Sequence, residues 1–209
     1  MIKHIRFGRR RAGISYEEYH EAWLRHHAPQ MAEHTRALRY EQVHFTGEDD
    51  PAFHHAVVLR YRDREHWNAA YGGSPPPLID DPTAVMGDRS AGLLLVTTEH
   101  VVLAGPESPS TSTWYVRRAA AEEPSADGSL PGAWADEARM LSGLEISTPI
   151  RIATSVANEL SPDSDFIALT EVTWATAAAR EAGDAHPQVR DVFGDAVRLV
   201  PADPVTVIR

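Results

Sequence analysis

The chain has 209 residues, 43% hydrophobic and 24% charged, the composition of one large packed domain or two of about 100 residues and not of a disordered chain. A formal net charge of −10 argues against nucleic acid or an anionic membrane as partner, and the absence of cysteine removes disulfides, thiolate nucleophiles and cysteine metal sites. No apolar run approaches the roughly 18–20 residues of a membrane span and the N-terminus lacks the apolar region of a signal peptide, so a cytoplasmic location is expected.

Residues 2–9 alternate, Ile5 and Phe7 against His4 and Arg6, and read as a half-buried strand. After a basic turn (Arg9-Arg10-Arg11) comes a helix that organises the rest. Tyr16, Tyr19, His20, Trp23, Leu24 and His27 share one face of it, Ser15 and Glu18 form a capping box, and Pro29 is expected to stop it near His27. The stripe is aromatic and imidazole where Leu, Ile and Val are usual. Residues 29–36 read as a further short helical piece. Residues 37–45 alternate again, with Leu38, Tyr40, Gln42 and His44 on one face, and 47–51 are a polar turn. His55–Tyr61 is a third strand, and Asp63 caps a helix through Tyr71 that ends at Gly72-Gly73. Residues 74–77 are a break. Residues 98–103 are a fourth strand, giving the order β-α-β-β-α-β of a ferredoxin-like fold.

Residues 105–112 have linker composition, and then the pattern restarts: strand 113–118, helix 132–141 with Trp134, Ala138 and Leu141 on one face, strands 149–156 and 165–174, a helix over 175–182 ending at Gly183, and a last strand Val205–Ile208. Residues 55–72 align over 166–183, and Val85-Met86-Gly87-Asp88 recurs as Val192-Phe193-Gly194-Asp195. We read an α+β protein of two ferredoxin-like βαββαβ halves, 1–104 and 113–209, fused in one chain and packing sheet to sheet. Two independent domains on a string is the alternative. The halves differ in charge: residues 1–105 hold 12 Lys+Arg and 14 Asp+Glu, and residues 106–209 hold 8 and 16.

The first half resembles the EthD family of the dimeric α+β barrel superfamily. The matching residues are the opening strand with its basic turn, Ser15-x-x-Glu18-x-x-x-x-Trp23, His26-His27-Ala28-Pro29 in place of a His-x-Pro step, Tyr40-x-x-x-His44, and Asp88-x-Ser90 before the last strand. The second half lacks the His-x-Pro step and the aromatic helix and has one histidine, His186. The resemblance implies a single site in the first half, with the second half as structural partner. It also implies a superfamily of polyketide cyclases, isomerases, cofactor-free monooxygenases and heme enzymes, so the reaction stays open.

Ten of the eleven histidines lie in residues 1–100, and imidazole suits proton transfer near neutrality. His27 and His44 are expected to face one cavity between helix and sheet. One takes a proton alpha to a carbonyl, while the other, or Tyr19 or Tyr40, donates to the enolate oxygen. Tyr16, Trp23, Tyr61 and Trp67 supply the walls that bind a flat, hydrophobic substrate. The plainer readings are a helix-capping His27, a satisfied strand histidine at His44, a core-edge His20 and an aromatic stripe that only packs.

No metal is expected, since His20 and His27 lack the i, i+4 spacing of helical zinc pairs. No cofactor is expected either: there is no phosphate loop, no G-x-S-x-G elbow, and nothing marks a heme pocket. The expectation is a cofactor-free cyclase, isomerase or lyase of secondary metabolism acting on a small aromatic or polyketide-like carbonyl compound. A cofactor-independent monooxygenase and a non-catalytic binding protein are the alternatives. A monomer or homodimer would serve.

Overall fold

The computed structural model describes residues 1–46, 52–71, 92–118, 128–144, 148–160, 166–201 and 205–208. The expected features at 47–51, 72–77, 85–88 and 88–90 lie outside them. The elements are β1 (Ile2–Gly8), α1 (Tyr16–Ala22), a π turn (Trp23–His27), α2 (Ala28–Thr35), β2 (Arg39–Thr46), β3 (His55–Tyr61), α3 (Arg64–Tyr71), β4 (Leu93–Leu103), β5 (Ser112–Arg118), α4 (Gly132–Ser142), β6 (Arg151–Leu160), β7 (Phe166–Thr173), α5 (Ala177–Ala185), α6 (Pro187–Phe193), β8 (Val197–Pro201) and β9 (Val205–Ile208).

Eight antiparallel strands close a barrel in the order β2-β3-β1-β4-β6-β7-β5-β8 and back to β2. Each half therefore has the same internal order, its second strand outermost on one side and its fourth on the other. The seams between halves are β4 on β6, from Leu95↔Leu160 to Leu103↔Ile152, and β8 on β2 at Phe45↔Pro201 and Thr46↔Val200. β9 then continues along β2, opposite Tyr40, Glu41 and Gln42.

Period-two alternation sorts each strand into an inward and an outward face. Ile5 and Phe7, Val43 and Phe45, Ala56 and Val58, Leu93 and Leu95, Trp114 and Val116, Ala157, Leu169 and Leu199 come from all eight strands and form one buried cluster, which is the barrel interior. The opposite faces lie under helices. Tyr40, Val57, Leu59, Tyr61 and Val96 meet Tyr19, Trp23, Ala28 and Trp67 on one side. On the other, Tyr115, Ile152 and Val172 meet Ala138, Leu141, Val189 and Phe193.

One mouth of the barrel is ionic. Lys3, 1% exposed, shares the inward face of β1 with Ile5 and Phe7 and binds Glu99 at 2.7 Å and Glu171 at 2.5 Å. Arg151 reaches Glu99 at 3.1 Å and Glu107 at 3.2 Å, and Arg60 reaches Glu107 at 3.1 Å and Glu41 at 3.4 Å. The cavity left among these side chains is about 30 Å³, the space of a water molecule. Burial works to raise the Glu99 pKa, but Lys3, Arg60 and Arg151 override it and hold the carboxyl at about 2. Lys3→Met takes the lysine from Glu171 and leaves Glu99 to Arg151 and Arg60 alone, and should cost roughly 3 kcal/mol. Urea unfolding at pH 7 checks this, and an unchanged midpoint would show that the ion pairs contribute nothing net.

Several boundaries differ from expectation for physical reasons. The first helix does not stop at His27. The Ala28 amide bonds the Trp23 carbonyl, five residues back, and this wider turn relieves the clash of the Pro29 ring with the preceding turn. The chain then runs on as α2, as expected of residues 29–36, and leaves it through Arg36 at φ 48°. β2 starts at Arg39, so Leu38 is not part of the strand face; it is 47% exposed. β4 begins at Leu93, earlier than residue 98. Gly183 lies inside α5 instead of ending it, because a Cβ there would fall 2.4 Å from Trp174 Nε1. Helix α6 and strand β8 carried no recognised sequence signal. Among the described residues no helix is long and apolar enough to cross a membrane.

Candidate active site

The capping box forms as expected: the Glu18 amide donates to Ser15 Oγ at 3.1 Å and the Ser15 amide to Glu18 Oε2 at 3.0 Å. It fixes where α1 begins, and thereby which residues turn toward the sheet. Tyr19 and Trp23 go fully inward, 0% and 2% exposed, while Tyr16 and His20 lie along the open edge.

Below the helix, β2 and β3 pair His44 directly with His55, so both imidazoles rise from the same face. His44 sits 4.4 Å from the His20 ring, 5.9 Å from Tyr16 and 6.0 Å from Tyr19, all edge-on. His55 lies 4.2 Å from Trp23, and its Nδ1 is hydrogen-bonded to the Tyr19 hydroxyl. His27 closes the row 4.3 Å from Trp23.

Two of these imidazoles, His44 and His55, are buried and held neutral. Burial, with His20 beside it, lowers the His44 pKa to about 4. Burial drives His55 well below the usual histidine range, with His44, His27, His54 and Arg6 adding to the effect. Both ring nitrogens of His44 are buried without a hydrogen-bond partner among the described residues, as are Trp23 Nε1 and Gln42 Oε1. An imidazole withdrawn from water normally finds a partner. Here two nitrogens on one ring, with an indole N–H and an amide oxygen in the same layer, have no partner among the described residues.

His55 depends on a glycine. It faces Gly8 across the β1–β3 ladder, and a Cβ on Gly8 would fall 2.3 Å from His55 Cε1. Gly8→Ala should therefore push the ring off Tyr19 and cost about 1–3 kcal/mol of overpacking. Loss of the Tyr19–His55 coupling in NMR spectra, together with a lower urea midpoint, would register it.

No family model matches the sequence, nor does any curated protein. Solved structures do match. A protein described as anthrone oxidase-like superposes with a TM-score of 0.61 at 9% identity, covering 99% of this chain and 93% of that one. Two proteins each called a "putative monooxygenase", from Lactobacillus acidophilus NCFM and Fusobacterium nucleatum subsp. nucleatum ATCC 25586, cover 99% and 98% of this chain at 10% and 7% identity, with TM-scores of 0.45 and 0.47. The likeness is one of fold, an antiparallel barrel of eight strands with helices outside it.

In this barrel the expected site residues divide into two groups. Tyr16, Tyr19, Trp23 and His44 meet around His20 and His55, with His27 at the Trp23 end. Tyr40, Tyr61 and Trp67 belong to the same buried layer but hold other bonds. Gln42 Nε2 donates to the Tyr40 hydroxyl at 3.1 Å, the Tyr61 hydroxyl donates to the Thr35 carbonyl at 3.1 Å, and Trp67 Nε1 donates to His4 Nδ1 at 3.3 Å. His55 was not singled out from the sequence. Its one signal is the run His54-His55 at a strand start, and only the β2–β3 register sets it opposite His44. Among the described residues, no group of three or more His, Asp or Glu side chains could hold a metal ion.

Proposed function

We propose that the chain is a cofactor-free acid–base enzyme, a cyclase, isomerase or dehydrating lyase, acting on a small aromatic or polyketide-like carbonyl compound in the layer between α1 and the β2–β3 sheet. The observation that carries this reading is His44: buried, neutral, and with both ring nitrogens unengaged among the described residues. His44 takes the proton from carbon alpha to the carbonyl. Burial makes its own charge costly, but an enolate formed against the ring favours the imidazolium, so base strength rises when substrate is present. Tyr16 and Trp23 flank the substrate ring. The Tyr19–His55 pair sets the floor, and its hydroxyl lies within the same ring cluster to hydrogen-bond the enolate oxygen.

A second reading shares this first step. The carbanion reacts with dioxygen and yields a quinone and water, making the protein a cofactor-independent monooxygenase; the anthrone oxidase-like neighbour favours it. Incubation with anthrone in deuterated buffer separates the outcomes. Exchange at the activated carbon without oxygen uptake supports the isomerase class, and oxygen uptake with quinone formation supports the oxygenase. Neither exchange nor uptake, with anthrone or with a polyketide-like β-keto aromatic, would leave a binding protein.

On the same reading, residues 1–104 are an EthD-like, ferredoxin-like half that carries the site. Residues 113–209 are a second such half that completes the barrel, so that a monomer suffices in the cytoplasm.

A further inference from the structure

The second half carries a cleft that the chemistry above does not use. It lies between α5, α6 and the strands β5 and β8, has a volume of about 480 Å³, and is lined by Tyr115, Asp184, Val189, Arg190, Phe193 and Arg198 among others. That volume is in the range of small-molecule sites.

Its polar wall is built. The Asp184 side chain, 7% exposed, accepts from the Tyr115 hydroxyl at 2.7 Å, the Thr113 hydroxyl at 2.9 Å, Arg198 Nε at 3.1 Å and Arg198 Nη2. With those acceptor positions taken, Asp184 orients its neighbours and recognises nothing further. Burial and the Asp184 carboxylate keep the Tyr115 phenol protonated by raising its pKa. The Tyr115 and Phe193 rings stack at 4.0 Å and 7° to form the apolar base.

The charges leave one cation over. Arg198 is neutralised by Asp184, and Glu181 lies 3.9 Å from Arg180. The exposed Arg190 guanidinium has no hydrogen-bond or ion-pair partner among the described residues, and Arg198 keeps its Nη1 edge open. An uncompensated guanidinium lining the same cleft as an aromatic base stands out in a half where Asp and Glu outnumber Lys and Arg by 16 to 8. A planar guanidinium fork suits a carboxylate.

We propose that this cleft binds a small planar aromatic carboxylate, its ring against Val189 and the edge of the Tyr115–Phe193 stack and its carboxylate held by Arg190 with the open edge of Arg198. The proposal is independent of the reading of the first half, and the test keeps the two apart. Calorimetric titration of the intact protein with 2-naphthoate at pH 7 should show one binding site. Arg190→Gln should weaken it about tenfold or more, and the neutral 2-naphthamide should bind weaker by a similar factor. His44→Phe should leave naphthoate binding unchanged. The proposal is overturned by no heat of binding up to about 5 mM ligand, by unchanged affinity in Arg190→Gln, or by loss of binding in His44→Phe, which would assign the ligand to the first half.

Discussion

Between pH 7 and pH 5 the fold should lose about 2 kcal/mol for each of two buried histidines, His4 and His44, and His55 acts in the same direction. The folded-state pKa of His44 is lowered to about 4, by burial and then by His20, and that of His4 to about 3, by burial and then by Arg6. His55 is lowered well below the ordinary value. A depressed imidazole binds its proton more readily in the unfolded chain, so unfolding takes up protons once the pH drops below about 6.5. Stability is therefore full above that value, falls as the pH drops through it, and stops falling only where the folded pKa is reached. At pH 5 His4 and His44 are each about 1.5 pH units into this window, at about 1.4 kcal/mol per unit. Against a total of about 5–15 kcal/mol for a typical domain, two such losses take a large share of the stability. Glu99 acts lower, its contribution being lost as pH falls from about 4.5 toward its folded value of about 2. Urea midpoints at pH 7, 6 and 5 measure the slope, and flat stability across that range would contradict the buried neutral arrangement. His44→Phe should flatten the curve by its share of about 2 kcal/mol at pH 5.

The same substitution should lower turnover by about 10²–10⁴, the usual range for a general acid–base residue. Phenylalanine keeps a ring against Tyr16, Tyr19 and His20 and removes both nitrogens, at about 1–3 kcal/mol of crowding for its extra volume. The decisive readout is the split between kcal-scale stability at pH 7 and rate. A folded His44→Phe that no longer exchanges the activated proton of anthrone places the chemistry on that imidazole. A folded variant with full exchange removes His44 from the mechanism.

Much of the first half was legible because its signals are local. The Ser15–Glu18 box, the alternation of β1 and β3, and the Asp63 cap, whose Oδ1 accepts from the His66 amide at 2.8 Å, each depend on residues a few positions apart. What escaped depends on contacts distant in sequence. Gly183 reads as a helix end until Trp174 is seen against it. Pro29 reads as a stop because a π turn has no pattern of its own. Lys3 reads as a surface lysine, since Glu99 and Glu171 are brought to it only by barrel closure. Tyr19, Trp23 and His44 were found from helical and strand spacing, whereas His55 needed the register of two strands. The cleft of the second half was invisible for the same reason: Tyr115, Asp184 and Arg198 belong to three separate elements.

Barrel closure within a single polypeptide has a consequence for heredity. With the halves matched strand for strand and His55 set against Phe166, Arg60 corresponds to Glu171, and their ladder neighbours Lys3 and Trp114 correspond to each other. Two identical subunits built from the first half would present an arginine where Lys3 now meets Glu171, and like charges would confront each other across the twofold axis. On one polypeptide neither set of four strands need mirror the other, so a lysine on one side and a glutamate on the other can be kept as a pair. Cut apart, each segment would carry only one side of that pair.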